Sequence, residues 1–169
     1  MKTLVIGLGN PILTDDGVGV WVARLVEERL RSSPVADVEV TEASVGGLRL
    51  MEMMVGFQRV ILIDASLARD LAPGSVSRMT LDELTAASPH QHLASAHDTT
   101  LVTALNAGRR MQLALPDEVI VFAIAAENVM EFGDWPTAAV AQAIAPTAQA
   151  VFDELCFEAH SLEVTHGFA

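Results

Sequence analysis

A chain of 169 residues, half of them hydrophobic and only 19% charged, is long enough for one well-packed domain and too short for two of ordinary size. The formal net charge of −12 argues against a nucleic-acid partner, because affinity for a phosphate backbone depends on Lys and Arg, of which the chain has ten. A single cysteine, no leading basic-then-apolar segment and no apolar run near the roughly 20 residues that span a bilayer together predict a cytoplasmic protein without a membrane partner.

The first predicted elements are a buried strand over residues 2–8 and an amphipathic helix over residues 17–30. The strand is apolar almost throughout, which is typical of parallel sheets covered on both faces. In the helix, apolar residues recur every three or four positions with charged residues between them. The turn that joins the two elements contains two adjacent carboxylates, Asp15 and Asp16, where a nucleotide-binding turn would cradle phosphate. This turn therefore favours a cation or a peptide as its ligand.

The middle of the chain alternates between strand and helix patterns. A second strand, a short Met-rich helix and a third strand are predicted at residues 38–41, 48–55 and 59–64. Gly46 and Gly47 mark the turn before the short helix. No helix separates the third strand from the next one, at residues 75–79, and we therefore predict an antiparallel strand at the edge of the sheet there.

Residues 86–97 contain three histidines and show no hydrophobic periodicity, which predicts a loop. A helix is expected to begin just after His97, because Leu101 and Leu105 lie four and eight residues further on and would anchor one face of that helix in the core. Asp98 is a candidate cap for the helix. The loop therefore ends on a histidine.

The last third of the chain predicts one more buried strand, at residues 119–124, and a helical region that begins at Pro136. Pro146 is expected to kink or split this region, because proline lacks the N–H that an α-helix needs. Residues 159–169 have little to bury, and we expect a frayed tail there.

The alternation of strands and helices predicts an α/β fold. We expect a three-layer sandwich in which a twisted, mostly parallel, five-stranded sheet carries helices on both faces and has one antiparallel edge strand. A single domain is expected to span residues 1–158, with the tail at 159–169. Ligands of such sheets bind beyond the carboxyl ends of the strands.

This topology would bring four side chains to one edge of the sheet: Asp15, Asp16, Asp64 and His97. Two carboxylates and an imidazole suit a divalent transition ion that keeps open positions for water or substrate. Simpler roles stay open for each residue. Asp15 or Asp16 could cap the helix that follows, and His97 could be a surface histidine.

Two other glycine-rich motifs fit less well. A dinucleotide fingerprint would need glycine or alanine where Ile12 stands, and Asp15 and Asp16 would face the pyrophosphate with like charge. The Gly-Leu-Gly-Asn-Pro start also occurs in peptidyl-tRNA hydrolases, but those proteins need a basic surface for RNA, and this chain is acidic.

The run from Gly7 to Gly19, the pair Gly46-Gly47, the strand ending Ile63-Asp64-Ala65 and the pair His97-Asp98 together resemble the hydrogenase maturation endopeptidases. The resemblance extends from Lys2 to about Leu155. It implies a cytoplasmic α/β enzyme that trims the C-terminal extension from the large-subunit precursor of a nickel-iron hydrogenase after nickel insertion.

The resemblance also implies a set of site residues. The metal-contacting and catalytic positions carry over to Asp16, Asp64 and His97, which are expected to meet nickel supplied by the precursor, or another divalent ion in vitro. Four further residues are expected to support the site, namely Asn10, Asp15, Gly46 and Gly47; the glycines would allow the backbone to approach an extended peptide.

Some alternatives remain at this stage. The tetrapeptide Ser88-Pro89-His90-Gln91 also resembles the segment that carries the ligand histidine in some family members, but positions four and eight after His90 are Ala94 and Asp98, which cannot anchor an apolar helix face. A non-catalytic nickel or precursor chaperone could use the same ligands. A nucleotide-binding domain is the third hypothesis.

Overall fold

The computed structural model describes residues 1–67, 70–86 and 96–166, and it describes side chains within residues 1–67, 70–84, 86 and 101–157. The strands are β1 (Thr3–Leu8), β2 (Val38–Ala43), β3 (Arg59–Ser66), β4 (Val76–Thr80) and β5 (Glu118–Ala125). The helices are α1 (Val18–Ser32), α2 (Gly47–Met53), α3 (Leu81–Ala86), α4 (Ala96–Arg110) and α5 (Ala138–His166), and a 3₁₀ turn (Thr14–Gly17) precedes α1.

The strands form one sheet in the order β2-β1-β3-β5-β4. All neighbours are parallel except β4, which is antiparallel to β5 at the edge. The predicted α/β class and the antiparallel edge strand are therefore confirmed. The physical reason is that a parallel partner requires a crossover helix, and none of the described residues between β3 and β4 forms one.

The two faces of the sheet bury two separate hydrophobic layers. Successive residues of a strand point to opposite faces, so Val5, Ile61 and Ile63 pack with α1 and α5, whereas Ile6 and Leu62 pack with α2 and α4. Helix α1 packs directly on α5, and α2 packs directly on α4. Helices therefore cover both faces of the sheet, as predicted.

Glycines allow α1 to cross the sheet at very close range. A Cβ at Gly19 would lie 2.2 Å from the Ile63 carbonyl oxygen and 2.4 Å from that of Leu8. A Cβ at Gly7 would lie 2.6 Å from the Cβ of Ala23. The first turn of α1 therefore rests on the carboxyl ends of β1 and β3, and this contact sets the position of the 3₁₀ turn just before it.

Helix α3 was not predicted, although the sequence carries its signal. Thr80 and Glu83 form a reciprocal capping box: the Thr80 Oγ1 accepts a hydrogen bond from the Glu83 N–H at 3.2 Å, and the Glu83 Oε2 accepts one from the Thr80 N–H at 2.7 Å.

The C-terminal helix is longer and more continuous than the sequence predicted. Pro146 lies inside α5 but does not split it. The helix then continues to His166, beyond the predicted domain end at residue 158, and residues 167–169 lie outside the described part of the chain. The reason is that residues 147–166 contain neither Gly nor Pro, and the part of α5 from Val140 to Leu155 packs against α1 and β5. The frayed tail at 159–169 stays a prediction.

A buried arginine ties three elements together far from the site. Arg59 of β3 is 1% exposed and pairs with Glu154 of α5 at 2.5 Å and with Glu118 of β5 at 2.6 Å. Arg78 of β4 also pairs with Glu154, at 2.8 Å. Hydrogen bonding from Arg78, helped by the charge of Arg59, lowers the pKa of the Glu154 carboxyl below its ordinary value of 4.5.

This network predicts a pH-dependent stability. A carboxyl whose pKa is lowered by folding stabilises the protein above its unfolded pKa, near 4.5, and loses that contribution as the pH falls through the folded value. Glu154→Gln is expected to reduce the free energy of unfolding by about 1–2 kcal/mol at pH 7, after allowance for solvent screening, and by less at pH 4. Urea unfolding at the two pH values measures this difference. The control is Glu27→Gln, at an exposed pair with Arg31, where we expect a change below about 0.5 kcal/mol; an equal loss at both pH values for Glu154→Gln would contradict the prediction.

Candidate active site

Asp16 lies in the 3₁₀ turn with one carboxylate oxygen held and the other open. The Asn10 N–H donates a hydrogen bond to Asp16 Oδ2 at 2.7 Å. Within the described residues, Oδ1 accepts no hydrogen bond, and the side chain is half-buried. Asn10 also orders its own turn, because its Oδ1 accepts from the Ile12 N–H at 3.3 Å. The arrangement orients Asp16 and leaves one of its oxygens available to a ligand.

The glycine turn after β1 is filled by the protein itself. Gly9 has a φ of 123°, and a Cβ there would lie 1.7 Å from the carbonyl oxygen of Asp16. Only glycine meets both conditions. Because the backbone of Asp16 occupies the space where a pyrophosphate would approach, the geometry does not support the nucleotide-binding hypothesis.

Asp15 has a different role from its neighbour. Its side chain is completely buried and accepts four hydrogen bonds from the loop between β5 and α5 (residues 126–137, the β5–α5 loop). The donors are the N–H groups of Glu127 (2.9 Å), Asn128 (2.8 Å) and Thr137 (2.7 Å) and the Thr137 hydroxyl (3.1 Å).

Neither aspartate caps α1, although the sequence allowed it. The residues before the 3₁₀ turn and before α1 are Leu13 and Gly17, and no side chain caps either element. Instead Asp15 binds the N–H of Thr137, the residue just before α5. Asp15 therefore clamps the β5–α5 loop against the 3₁₀ turn that carries Asp16.

Asp64 lies near the carboxyl end of β3, which continues two residues further than predicted, to Ser66. It is 4% exposed, and its Oδ1 accepts a hydrogen bond from the Ala65 N–H at 2.8 Å. By strand alternation it shares a face with Leu62, which packs in the layer of α2 and α4. The 3₁₀ turn contacts β3 directly. The structure therefore brings Asp16 and Asp64 to the same edge of the sheet.

His97 is the second residue of α4, which begins one residue before it and not just after it. Asp98 consequently lies inside the first turn and not before it. The predicted anchors Leu101 and Leu105 are fully buried. The other end of α4 lies at the amino edge of the sheet, where Gly108 approaches Met51 and Leu115. The first turn of α4 therefore points to the carboxyl edge, on the face that Asp64 shares.

The side chain of His97 and the whole of His90 lie outside the part of the chain whose side chains are described. Among the described side chains, no three His, Cys, Asp or Glu residues are grouped as a metal site. The nickel ligand set therefore stays a prediction, with two of its three members described.

The glycine pair belongs to the same rim of loops. Gly46 is extended and immediately precedes α2, while Gly47 has a φ of 57°. The loop after β2 is tied to the turn after β1, because the Ser44 hydroxyl donates to the Gly9 carbonyl at 2.7 Å and the Gly9 N–H donates to the Ala43 carbonyl at 3.0 Å. Loops after β1 and β2 thus form a continuous surface beside Asp16.

The β5–α5 loop is the part of the site that the sequence did not reveal. The residues of this loop that hydrogen-bond to the Asp15 side chain lie 112 to 122 positions after it in the chain. Most of these hydrogen bonds are donated by backbone N–H groups. Backbone donors leave no signature in residue types.

The sequence profile of the family described as "Hydrogenase maturation protease" matches residues 20–154. The chain belongs to the hydrogenase maturation protease family. The predicted family resemblance is therefore confirmed, over most of the length of the chain.

Individual relatives agree with this assignment. The chain is 31% identical over 96 residues to the hydrogenase 2 maturation protease of Escherichia coli K12, an alignment that covers 54% of this chain and 57% of that protein. The chain spans about half the length of the curated relatives it matches.

Solved structures share the fold. The hydrogenase maturating endopeptidase HybD from E. coli superposes with a TM-score of 0.76 at 24% identity, covering 94% of each chain. The [NiFe] hydrogenase maturation protease HybD from Thermococcus kodakarensis gives a TM-score of 0.70 at 25% identity, covering 92% of this chain and 99% of the other. As for the membrane, none of the helices within residues 1–67, 70–86 and 96–166 has the length and hydropathy needed to cross a bilayer.

Proposed function

We propose that this protein is an endopeptidase that removes the C-terminal extension of a nickel-iron hydrogenase large-subunit precursor after nickel insertion. It would recognise the inserted metal through Asp16, Asp64 and His97. The observation that carries the proposal is the open Oδ1 of Asp16, presented at the edge where β3 carries Asp64 and α4 begins. Membership of the hydrogenase maturation protease family supports the choice of substrate.

The charge of this edge favours a cation. Residues 3–23 and 111–169 contain no Lys or Arg, so the loops after β1 and β5 carry carboxylates without compensating basic side chains. A metal ion presented by the precursor would meet a negative potential and two carboxylate ligands. The hydrogen bond from Asn10 holds the Asp16 carboxylate in place before the precursor arrives, which lowers the ordering cost of binding.

The metal in the precursor would either polarise the scissile carbonyl or lower the pKa of a bound water. The protein's own residues supply ligands and positioning. The rim formed by Ser44, Gly46 and Gly47, which is tied to the buried Gly9 beneath it, offers a surface with little side-chain bulk, along which the extended C-terminal peptide would lie. We propose that the protein acts in the cytoplasm, because a single cysteine is typical of proteins in a reducing compartment.

The test is to incubate the purified protein with nickel-loaded and with nickel-free precursor, and to follow the mass of the precursor. We expect one cut, which removes the C-terminal extension from the nickel-loaded form only. An unchanged mass for both forms would contradict the protease. If the mass is unchanged while the nickel content of the precursor rises, the protein is the non-catalytic nickel chaperone that uses the same ligands.

A further inference from the structure

The β5–α5 loop exposes an unusual group of large apolar side chains beside the site. Met130 is 82% exposed, Phe132 81% and Trp135 54%, and Ile12 of the facing turn is 56% exposed. We call these four residues the rim patch. Scattered exposed hydrophobics are ordinary on a protein surface, but several large ones on facing loops indicate an interaction surface.

The rim patch is fixed to the site by backbone hydrogen bonds. Leu13 forms a β-bridge with Phe132, the Gly133 N–H donates to the Ile12 carbonyl at 3.1 Å, and the Thr14 N–H donates to the Glu131 carbonyl at 3.2 Å. These contacts join the loop to the three residues that precede Asp15 and Asp16. A partner that binds the rim patch is therefore held in a defined position relative to the Asp16 carboxylate.

Buried contacts give this loop a rigid base. Asp15 accepts its four hydrogen bonds from the two ends of the loop. The Trp135 ring packs on Trp21 of α1, with 4.8 Å between the ring centroids and half of the Trp135 surface still exposed. The surface is preorganised, which reduces the entropy lost on binding.

The charges around the rim patch define its partner. Glu127, Glu131 and Asp134 of the loop are exposed carboxylates. No Lys or Arg occurs in residues 3–23 or 111–169, the two segments that contain both facing loops. Arg24, whose guanidinium lies 4.8 Å from the Trp21 ring, is already paired with Glu42 at 2.7 Å. Electrostatic complementarity therefore favours a partner that offers an apolar anchor flanked by basic residues.

We propose that the rim patch is the docking surface for the folded large-subunit precursor. The occupant is a surface of the precursor near its C-terminal extension that carries an apolar side chain between Lys or Arg residues. This inference rests on the proposed function and deepens it. The metal site would distinguish nickel-loaded from nickel-free precursor, and the rim patch would determine which precursor is bound. Because the rim patch is rigid and touches no reacting atom, its contacts with the precursor would be the same in the ground state and the transition state, and such uniform binding acts on KM and leaves kcat unchanged.

The test compares the wild type with the double variant Met130→Ser/Phe132→Ser. We expect KM for nickel-loaded precursor to rise about 10- to 100-fold in the variant, with kcat changed less than about two-fold. The matched control is Met111→Ser/Phe157→Ser, which replaces the same two residue types at positions 70% and 76% exposed and away from the loop, and it should keep the wild-type KM. Raising the salt concentration should increase KM for the wild type, because the carboxylates contribute through charge.

Binding of the intact precursor, measured directly for the same three proteins, separates the two proposals. If the wild type cleaves the precursor and the rim-patch variant has an unchanged KM and Kd, the docking proposal is overturned and the protease stands. If the wild type binds without cleaving and the variant loses binding, docking stands and the protease fails. Absence of binding by the wild type overturns both.

Sedimentation of the protein alone is the last measurement. A dimer that the rim-patch variant abolishes would assign the surface to a second copy of this chain and overturn docking of the precursor.

Discussion

Asp16→Asn and Asp64→Asn are each expected to abolish processing of nickel-loaded precursor, with a loss of more than about 100-fold in kcat/KM. Asparagine has the size of aspartate, and its amide oxygen can keep the backbone hydrogen bond from Asn10 to residue 16 and from Ala65 to residue 64, so the fold should be kept. In Asp16→Asn the amide oxygen can still accept from the Asn10 N–H, and the amide NH₂ then occupies the open position, where it cannot bind a cation. His97→Ala should have the same effect as the two carboxylate variants.

Initial rates of processing, followed by mass spectrometry, measure this loss, and circular dichroism with urea unfolding measures the fold. Asp117→Asn is the matched control, because Asp117 is an exposed carboxylate just before β5, at the amino edge of the sheet. It should process the precursor at the wild-type rate. Full processing by all three site variants would dismiss the proposed ligand set.

Asp15→Asn is expected to destabilise the protein strongly, by about 2–4 kcal/mol in the free energy of unfolding. Both carboxylate oxygens of Asp15 accept hydrogen bonds from N–H groups in a completely buried position. An asparagine there must turn its NH₂ group towards the donors of Thr137 or towards those of Glu127 and Asn128. Either orientation leaves buried donors facing each other without an acceptor.

The consequence of Asp15→Asn should extend to activity and to the rim patch. With the clamp weakened, the β5–α5 loop loses its fixed position, and we expect the combined emission of Trp21 and Trp135, the two tryptophans of the chain, to shift towards that of a solvated indole. Urea unfolding and tryptophan fluorescence measure the two effects, with Asp16→Asn as the neighbouring control, expected to lose less than about 1 kcal/mol. If Asp15→Asn lowers the free energy of unfolding by less than about 0.5 kcal/mol and leaves the emission unchanged, the hydrogen bonds of Asp15 do not stabilise the loop and the prediction is wrong.

Much of the fold follows from local pattern. The continuous apolar runs of β1, β3 and β5 and the three-to-four spacing of α1 are signals that each element carries within itself, and all of these elements were predicted close to their observed bounds. The antiparallel position of β4 followed from the lack of a predicted crossover helix before it. Once the strands are parallel, chain direction alone brings the ends of β1 and β3 together, so the meeting of Asp16 and Asp64 at one edge could be predicted as well.

For two of the helices the sequence pattern did not predict the observed structure, and the structure shows why. Pro146 was expected to kink or split the last helix, and it does not split it, because tertiary packing of α5 against α1 and β5 stabilises one continuous helix around the proline. The capping box at Thr80 and Glu83 was a readable signal for α3 that hydrophobic periodicity did not detect, because α3 is only six residues long.

The sequence by itself determined the layers of this protein, the order of its elements and the two acidic residues at the carboxyl edge, because hydrophobic periodicity and chain direction act over a few residues at a time. Only the tertiary structure separated the neighbouring aspartates into a buried clamp, Asp15, and a half-buried carboxylate with one open oxygen, Asp16. Only the tertiary structure placed the rim patch beside them. The physical reason is that Asp15 and Thr137 are 122 residues apart and meet through a backbone N–H, a donor that every residue except proline carries.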